Sequence, residues 1–483
     1  MIEKRAFYIN GAWVAPLDGR DHVVINPSTE EPAAIISLGG SADTDAAVAA
    51  AKAAFPAWAS GDPAERVALV ERFLARYHAR AEEMAQAISL EMGAPIDLAR
   101  EQQAPCVSRH TENFLEAFRD FRFLRPLRAD VPDSRIAMEP IGVVGLITPW
   151  NWPMNQVTLK VIPALLAGCT IVLKPSEQAP LSSMLFAELL DEAGCPAGVF
   201  NLVNGDGAGV GTQLSGHPDV AMISFTGSTR AGRAIGRVAA ETFKRVGLEL
   251  GGKGANLIFA DADADAVQRG VRHVFNNSGQ SCNAPTRMLV ERPRYDEAVE
   301  QARAVAEATH VGRPDQEGPH IGPVVNARQW DQVQGYIQKG IEEGARLVSG
   351  GLGRPEGLNK GFFVRPTVFA DVTPGMTIER EEIFGPVLSI IPFETEDEAL
   401  AIANDTVYGL TNYVQTGDGA RRNRLARRLN AGMIEMNGKS LPRGAFFGGI
   451  GASGGAREGG VWGIEEFLVS KAISNWDTGV AAE

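Results

Sequence analysis

Cysteine is scarce and scattered. Only Cys106, Cys169, Cys195 and Cys282 occur, far apart and with no CxxC pair. That spacing disfavours a disulfide scaffold or a zinc cluster and points to reduced thiols with no bound metal. Histidine is nearly as sparse, at seven residues, and only His273 lies close in sequence to Cys282, among apolar neighbours that predict a packed helix. A Cys/His hydrolase dyad therefore has little to build on. No block of Lys and Arg tracks a phosphate backbone, and 46 basic residues face 59 acidic ones, a net charge of −13. Nucleic acid is not an expected partner. Long apolar runs are missing too. The longest charge-free stretch, Ile141 to Leu159, contains Pro149, Asn151, Pro153, Asn155 and Gln156, which makes it strand and loop rather than a membrane span. The N-terminal MIEKRAFYINGAWV opens with charges and offers no secretory h-region, so a cytoplasmic protein away from membranes is expected.

What is present is an ordinary globular composition, 45% hydrophobic and 22% charged over 483 residues, long enough for two or three domains. The first 40 residues read as short extended pieces with Asn-Gly and Asn-Pro turns. Three amphipathic helical stretches follow, DTDAAVAAAKAAFPAW, DPAERVALVERFLARYHARAEEMAQAISLEMG and DLAREQQAPCVSRHTENFLEAFRDF. The basic, Pro-containing residues 122–138 suggest a hairpin leaving the main body. From Ile141, apolar strands such as IGVVGLITP, TIVLKP and AMISFTG alternate with helices, predicting a doubly wound, mainly parallel α/β sheet. A second α/β series begins beyond Gly252. The terminal FLVSKAISNW reads as one more strand, which must pair with something.

Five segments carry candidate chemistry. Cys282 lies in FNNSGQSCNAPTR, where small and polar neighbours suggest a loop or helix start whose N–H groups would lower a thiol pKa; a packed small hydrophobe is the alternative. Glu249, in LELGGKGAN, ends a strand before two glycines that permit close approach of a ligand. FTGSTRAGRAIG is a strand, turn and helix suited to a phosphate. VLKPSEQAP presents Lys174 and Glu177 three residues apart, suited to ribose hydroxyls or to a surface ion pair. ITPWNWPMNQ holds Asn151 among tryptophans and prolines, where its amide could meet an oxyanion or simply serve the turn.

Taken in order, PWNWP, LKPSE, FTGST, LELGGK, GQSC, EEIFGPV and FFGG closely resemble the aldehyde dehydrogenase superfamily over about residues 5 to 478. The resemblance implies a Rossmann-like NAD-binding domain (1–118 and 140–250), a second α/β catalytic domain (251–448) and a small β oligomerisation element (119–139 and 464–483). It also implies a homodimer or homotetramer. Cys282 would attack an aldehyde carbonyl, Asn151 and the Cys282 N–H would hold the oxyanion, and Glu249 would activate the water that hydrolyses the thioester. Ile147, Thr148, Pro149 and Trp150, then Lys174, Ser176 and Glu177, then Gly207, Gly211, Phe225, Gly227 and Ser228, then Leu250, Gly251, Glu382 and Phe384, would bind the cofactor. A carboxylate at Glu177 would favour NAD over NADP.

The sequence also departs from the pattern. Phe446-Phe447-Gly448-Gly449 replaces Pro-Phe-Gly-Gly, KSLPRGA before it is unusual, and Asn155 and Gln156 replace apolar tunnel residues. With Arg443 these suggest a polar or acidic aldehyde, in a pocket also shaped by Trp152, Ser281, Asn283 and Phe447. A CoA-acylating relative is disfavoured by Glu249, and a catalytically silent one by the presence of all three catalytic groups.

Overall fold

The strand Val143–Ile147 is buried at every position, as a central parallel strand covered on both faces must be. In the computed structural model, which describes residues 1–477, it sits in the middle of a seven-stranded sheet. Thr170–Lys174 and then Phe200–Leu202 extend the sheet in parallel to one side. Met222–Thr226 and then Arg245–Glu249 extend it to the other. The strand order therefore reverses between Val143–Ile147 and Met222–Thr226, which opens a crevice beyond their carboxyl ends. An N-terminal hairpin, Phe7–Ile9 with Ala12–Val14, closes one edge. Its Asn10-Gly11 turn has φ of 53° and 76°, the left-handed pair that a two-residue hairpin loop demands.

A second seven-stranded sheet runs from Arg346–Ser349 through Thr367–Ala370, Val387–Phe393, Arg287–Glu291, Ala255–Ile258 and Thr411–Gln415 to Met433–Met436. Only the Arg346–Ser349 edge is antiparallel. At its centre Arg287 is fully buried. Its guanidinium donates to the carbonyls of Lys253 (3.0 Å), Ile402 (2.9 Å) and Ala403 (2.9 Å) and to Glu379 (3.0 Å).

Several helices differ from the expected outline. The long second stretch breaks at Arg80 (φ −121°, ψ 20°) into Pro63–Ala79 and Ala81–Met92. Arg80 bonds Glu83, Glu188 and Glu192 at the break. The third stretch passes through a π-helical turn, Ala99–Gln103, before Pro105–Arg119; Pro105 has no N–H to continue the preceding ladder. Ala327–Glu342 and Gly419–Arg428 were not expected from sequence. The first buries Val333, Ile337 and Gly340, the second only Leu425, too thin a stripe to read.

Leu124–Arg128, Val131–Pro140 and the terminal strand Leu468–Ile473 form a three-stranded antiparallel sheet. The terminal strand thus finds a partner inside its own chain, and its need for one does not by itself call for a second subunit. The end of the expected bridging element, residues 478–483, lies outside the described residues.

Candidate active site

Cys282 follows a turn whose backbone is held in an unusual shape. Asn277 (φ 52°) and Ser278 (φ 57°) are left-handed, a conformation that persists where surrounding bonds fix it. Here Asn277 Nδ2 donates to the Asn151 carbonyl (2.9 Å) and Ser278 Oγ to the Gly322 carbonyl (2.7 Å). Gly279 passes so close to Gly385 that a Cβ would lie 2.1 Å from its carbonyl. From the first sheet, Gly252 meets the Cys282 carbonyl, where a Cβ would stand at 2.3 Å, and Gly251 meets Glu382, at 2.1 Å. The two glycines after Glu249 therefore admit other parts of the protein, not only a ligand.

The same turn fixes Asn151, beyond the central strand Val143–Ile147. Asn151 Nδ2 donates to the Gln280 carbonyl (2.9 Å), and Gln280 Oε1 accepts from Val325 N (2.9 Å). The amide carries two hydrogens, so one is left for a ligand. Its plane is set before any substrate arrives, which is the arrangement an oxyanion donor needs.

Glu249, the last residue of the edge strand, is buried with neither carboxylate oxygen hydrogen-bonded. Burial, followed by the Glu458 charge, holds its pKa well above the usual carboxylate range, against the pull of Lys160 and Arg457. Lys160, fully buried, donates to Thr226 Oγ1 (2.6 Å) and pairs with Glu458, whose second oxygen has no partner. Sequence reading missed this pair: Lys160 sits inside an apolar helix and Glu458 nearly 300 residues away, joined only by the fold.

The expected lowering of the Cys282 pKa is reversed. Burial first, then Glu382, Glu249 and Glu458, push the thiol upward, and the Cys282 N–H offsets only part of this. The loop offers no helix dipole to compensate. Glu382 is itself pushed up to about 7 by burial, with one oxygen on Gly252 N (2.9 Å).

Two cavities reach the sulfur, and both include Gln156 and Cys282. The first, about 550 Å³, opens over the crevice at the strand-order reversal. Pro149, Trp150, Ser176, Glu177, Gly227, Ser228, Leu250, Gly251, Glu382 and Phe384 line it, with Trp150 and Phe384 edge to face at 5.6 Å. Other expected cofactor residues stand behind the wall. Ile147 and Phe225 pack in the core, and Thr148 N bonds the Lys174 carbonyl (3.1 Å). Lys174 is buried, its Nζ on the Pro175 carbonyl (2.8 Å) and 3.6 Å from Glu177. Gly207 and Gly211 bound a short π turn capped by Asp206, with Gly211 against the Lys174 stem. Arg230 and Arg328, not expected, line the first cavity.

The second cavity, about 530 Å³, is lined by Trp152, Asn155, Gln156, Ser281, Asn283, Arg443 and Phe447. It also takes one face of the helix Pro105–Arg119 and the turn before it: Gln102, Cys106, Arg109, His110 and Asn113. Their spacing of four, three, one and three is that of a single helical face, a signal readable in sequence. His110 bonds Asn155 Oδ1 (2.7 Å) and burial pushes its pKa down to about 4, so it is neutral. His273 also reaches this cavity, edge-on to Tyr413.

Residues 13–473 match the sequence profile of the aldehyde dehydrogenase family. A 3-succinoylsemialdehyde-pyridine dehydrogenase from Pseudomonas sp is 48% identical, over 99% of this chain and all of that protein. The crystal structure of an aldehyde dehydrogenase from Bartonella henselae superposes with a TM-score of 0.98 at 61% identity, covering 99% of this chain and 100% of that one. A cysteine-to-alanine mutant of aldehyde dehydrogenase C from Pseudomonas syringae, crystallised with NAD+ and octanal, superposes with a TM-score of 0.96 at 49% identity, covering 98% and 97%.

Proposed function

The chain belongs to the aldehyde dehydrogenase family and oxidises an aldehyde with NAD(P)+, and we propose that the oxidation runs through Cys282, Asn151 and Glu249. The observation that carries this reading is that Cys282 lies where the two cavities meet, with Asn151 on the wall of the first. Cys282 Sγ adds to the aldehyde carbon, and its proton passes to the Glu249 carboxylate and on to solvent, which leaves Glu249 ionised for the later step. The developing oxyanion is held by the free Asn151 amide hydrogen and the Cys282 N–H. When bound, NAD(P)+ accepts the hydride released as this adduct becomes a thioester on Cys282. Glu249 then takes a proton from water, whose oxygen attacks the thioester carbon; the carboxylic acid leaves and the thiol is restored.

The first cavity suits a dinucleotide. Ser228 caps Ala231 N, and Gly227 N is held by the Glu249 carbonyl, so the Thr229 and Arg230 N–H groups of the first turn are the ones that could face a phosphate. Arg230 and Arg328 pair with no carboxylate among the described residues. Glu177 and Glu382 offer carboxylates to ribose hydroxyls, and Glu177 would repel a 2′-phosphate, so NAD is the preferred form.

In this reading residues 1–118 with 140–250 bind the cofactor, 251–448 complete the catalytic side, and 119–139 with 464–483 bridge subunits of a homodimer or homotetramer. Four free thiols, three of them buried, suit a reducing compartment such as the cytoplasm. A panel of aldehydes followed by NADH formation tests the chemistry. Cys282→Ala is expected to abolish turnover with every aldehyde while retaining NAD binding; residual NADH formation within tenfold of wild type would refute the role of Cys282.

A further inference from the structure

The second cavity holds one cation that the protein leaves unneutralised. Arg109 is exposed on the helix Pro105–Arg119. Among the described residues its hydrogen bonds come from Nη2 alone, to the Gln102 carbonyl (3.2 Å) and Cys106 Sγ (3.1 Å). It pairs with no carboxylate among the described residues. A guanidinium carries five N–H donors in a planar fork, so Nε and Nη1 stand without acceptors. Arg443 differs, being already opposed by Glu112 at 3.4 Å.

The other titratable groups in this wall neither satisfy nor replace it. His110 is neutral and bonded to Asn155. Glu458 is held by Lys160. Glu435, half-buried, accepts an N–H from Leu441, and burial raises its pKa. The Arg109 side chain is anchored by one nitrogen against its own helix, which reduces the rotamer freedom lost on binding. The Gln102 carbonyl that holds it belongs to the π-helical turn Ala99–Gln103 just before Pro105 and accepts from Cys106 Sγ as well (3.0 Å).

We propose that Arg109 is a specificity-determining residue that binds a carboxylate at the far end of the substrate, so that the preferred aldehydes are ω-oxo acids. This rests on the reaction proposed for Cys282, because the aldehyde must lie with its carbonyl at the sulfur and its tail along the second cavity. The tail's carboxylate accepts hydrogen bonds from Nε and Nη1, a charge-assisted contact that a neutral alkyl tail cannot form.

The test compares ω-oxo acids of four, six and eight carbons with n-alkanals of equal length, in wild type and in Arg109→Gln and Arg109→Lys. In Arg109→Gln the KM of the best ω-oxo acid is expected to rise about tenfold with kcat nearly unchanged. The n-alkanal of equal length should move less than about twofold, and Arg109→Lys should recover part of the loss. The wild-type KM for the ω-oxo acid, but not for the alkanal, should also rise with ionic strength. Equal losses on both series, or none, would overturn the proposal, as would an equal loss on a neutral ketone-tailed or pyridine-tailed aldehyde. Adipate titrated against tryptophan fluorescence reads the same contact without turnover. Weaker adipate binding in Arg109→Gln supports the proposal, and unchanged binding overturns it, even in the event that wild type turns over no aldehyde and the reaction proposed for Cys282 falls separately.

Discussion

Glu249 is a carboxyl that the fold would rather keep protonated. A general base must lose its proton before it can accept one, so hydrolysis is expected to accelerate as pH rises through the raised pKa of this group. The same shift acts on stability. Because the folded pKa lies above the unfolded one, the folded chain retains a proton that the unfolded chain releases. Stability from this group is therefore full below the ordinary glutamate range, about pH 4, and is lost as pH rises toward the folded pKa. Glu249→Gln removes both effects. It is expected to slow steady-state turnover by about 10² to 10⁴-fold while leaving a burst of one NADH per site. It should also resist urea better than wild type at pH 8, with the difference closing toward acid. A variant less stable than wild type at pH 8 would contradict the burial argument.

Among the larger elements, the central strand Arg287–Glu291 is tied to its surroundings by one side chain. Arg287 satisfies carbonyls at the end of the helix Glu396–Asn404 and compensates Glu379, both out of reach of water. Arg287→Ala would take from Glu379 one of its two guanidinium partners, Arg380 being the other (3.0 Å), and remove a donor from the buried carbonyls of Lys253, Ile402 and Ala403. It is expected to cost about 2 to 4 kcal/mol, from buried carbonyls left without their donor, measured by urea unfolding; a loss below about 1 kcal/mol would show that water or a neighbour replaces it. Nothing in the sequence distinguishes this arginine from a solvated one, because its partners come from three separate segments. The strands that carry the site are different. Val143–Ile147 and Met222–Thr226 announce themselves as unbroken apolar runs, and the residues following them fall at the sheet's carboxyl edge by topology alone. Asn151 and Glu249 could be singled out for that reason, and Cys282 by the small and polar residues around it. Lys160 and Glu458 could not, since a lysine in TLKVIPALLAG looks like an interruption until its distant partner is seen. Thinly apolar helices such as Gly419–Arg428 were hidden because packing and a cap, not periodicity, hold them.

At the scale of the molecule, the sheet built from Leu124–Arg128, Val131–Pro140 and Leu468–Ile473 has its own partner strands but, among the described residues, two open edges. Open edges are pairing surfaces unless covered, which supports the proposed dimer or tetramer. Sedimentation is expected to give a mass that is a multiple of 51.5 kDa, and deleting 468–477 should shift it toward the monomer or prevent folding. A stable monomer at micromolar concentration would remove the proposal.

The junction of the two cavities at Cys282 and Gln156 also governs traffic. Dinucleotide and aldehyde need not queue at one entrance, so the acid can depart by the side it came from while the reduced nucleotide is still seated. The sulfur, in turn, has two doors: shutting the nucleotide side alone leaves it reachable by any small electrophile that fits the other.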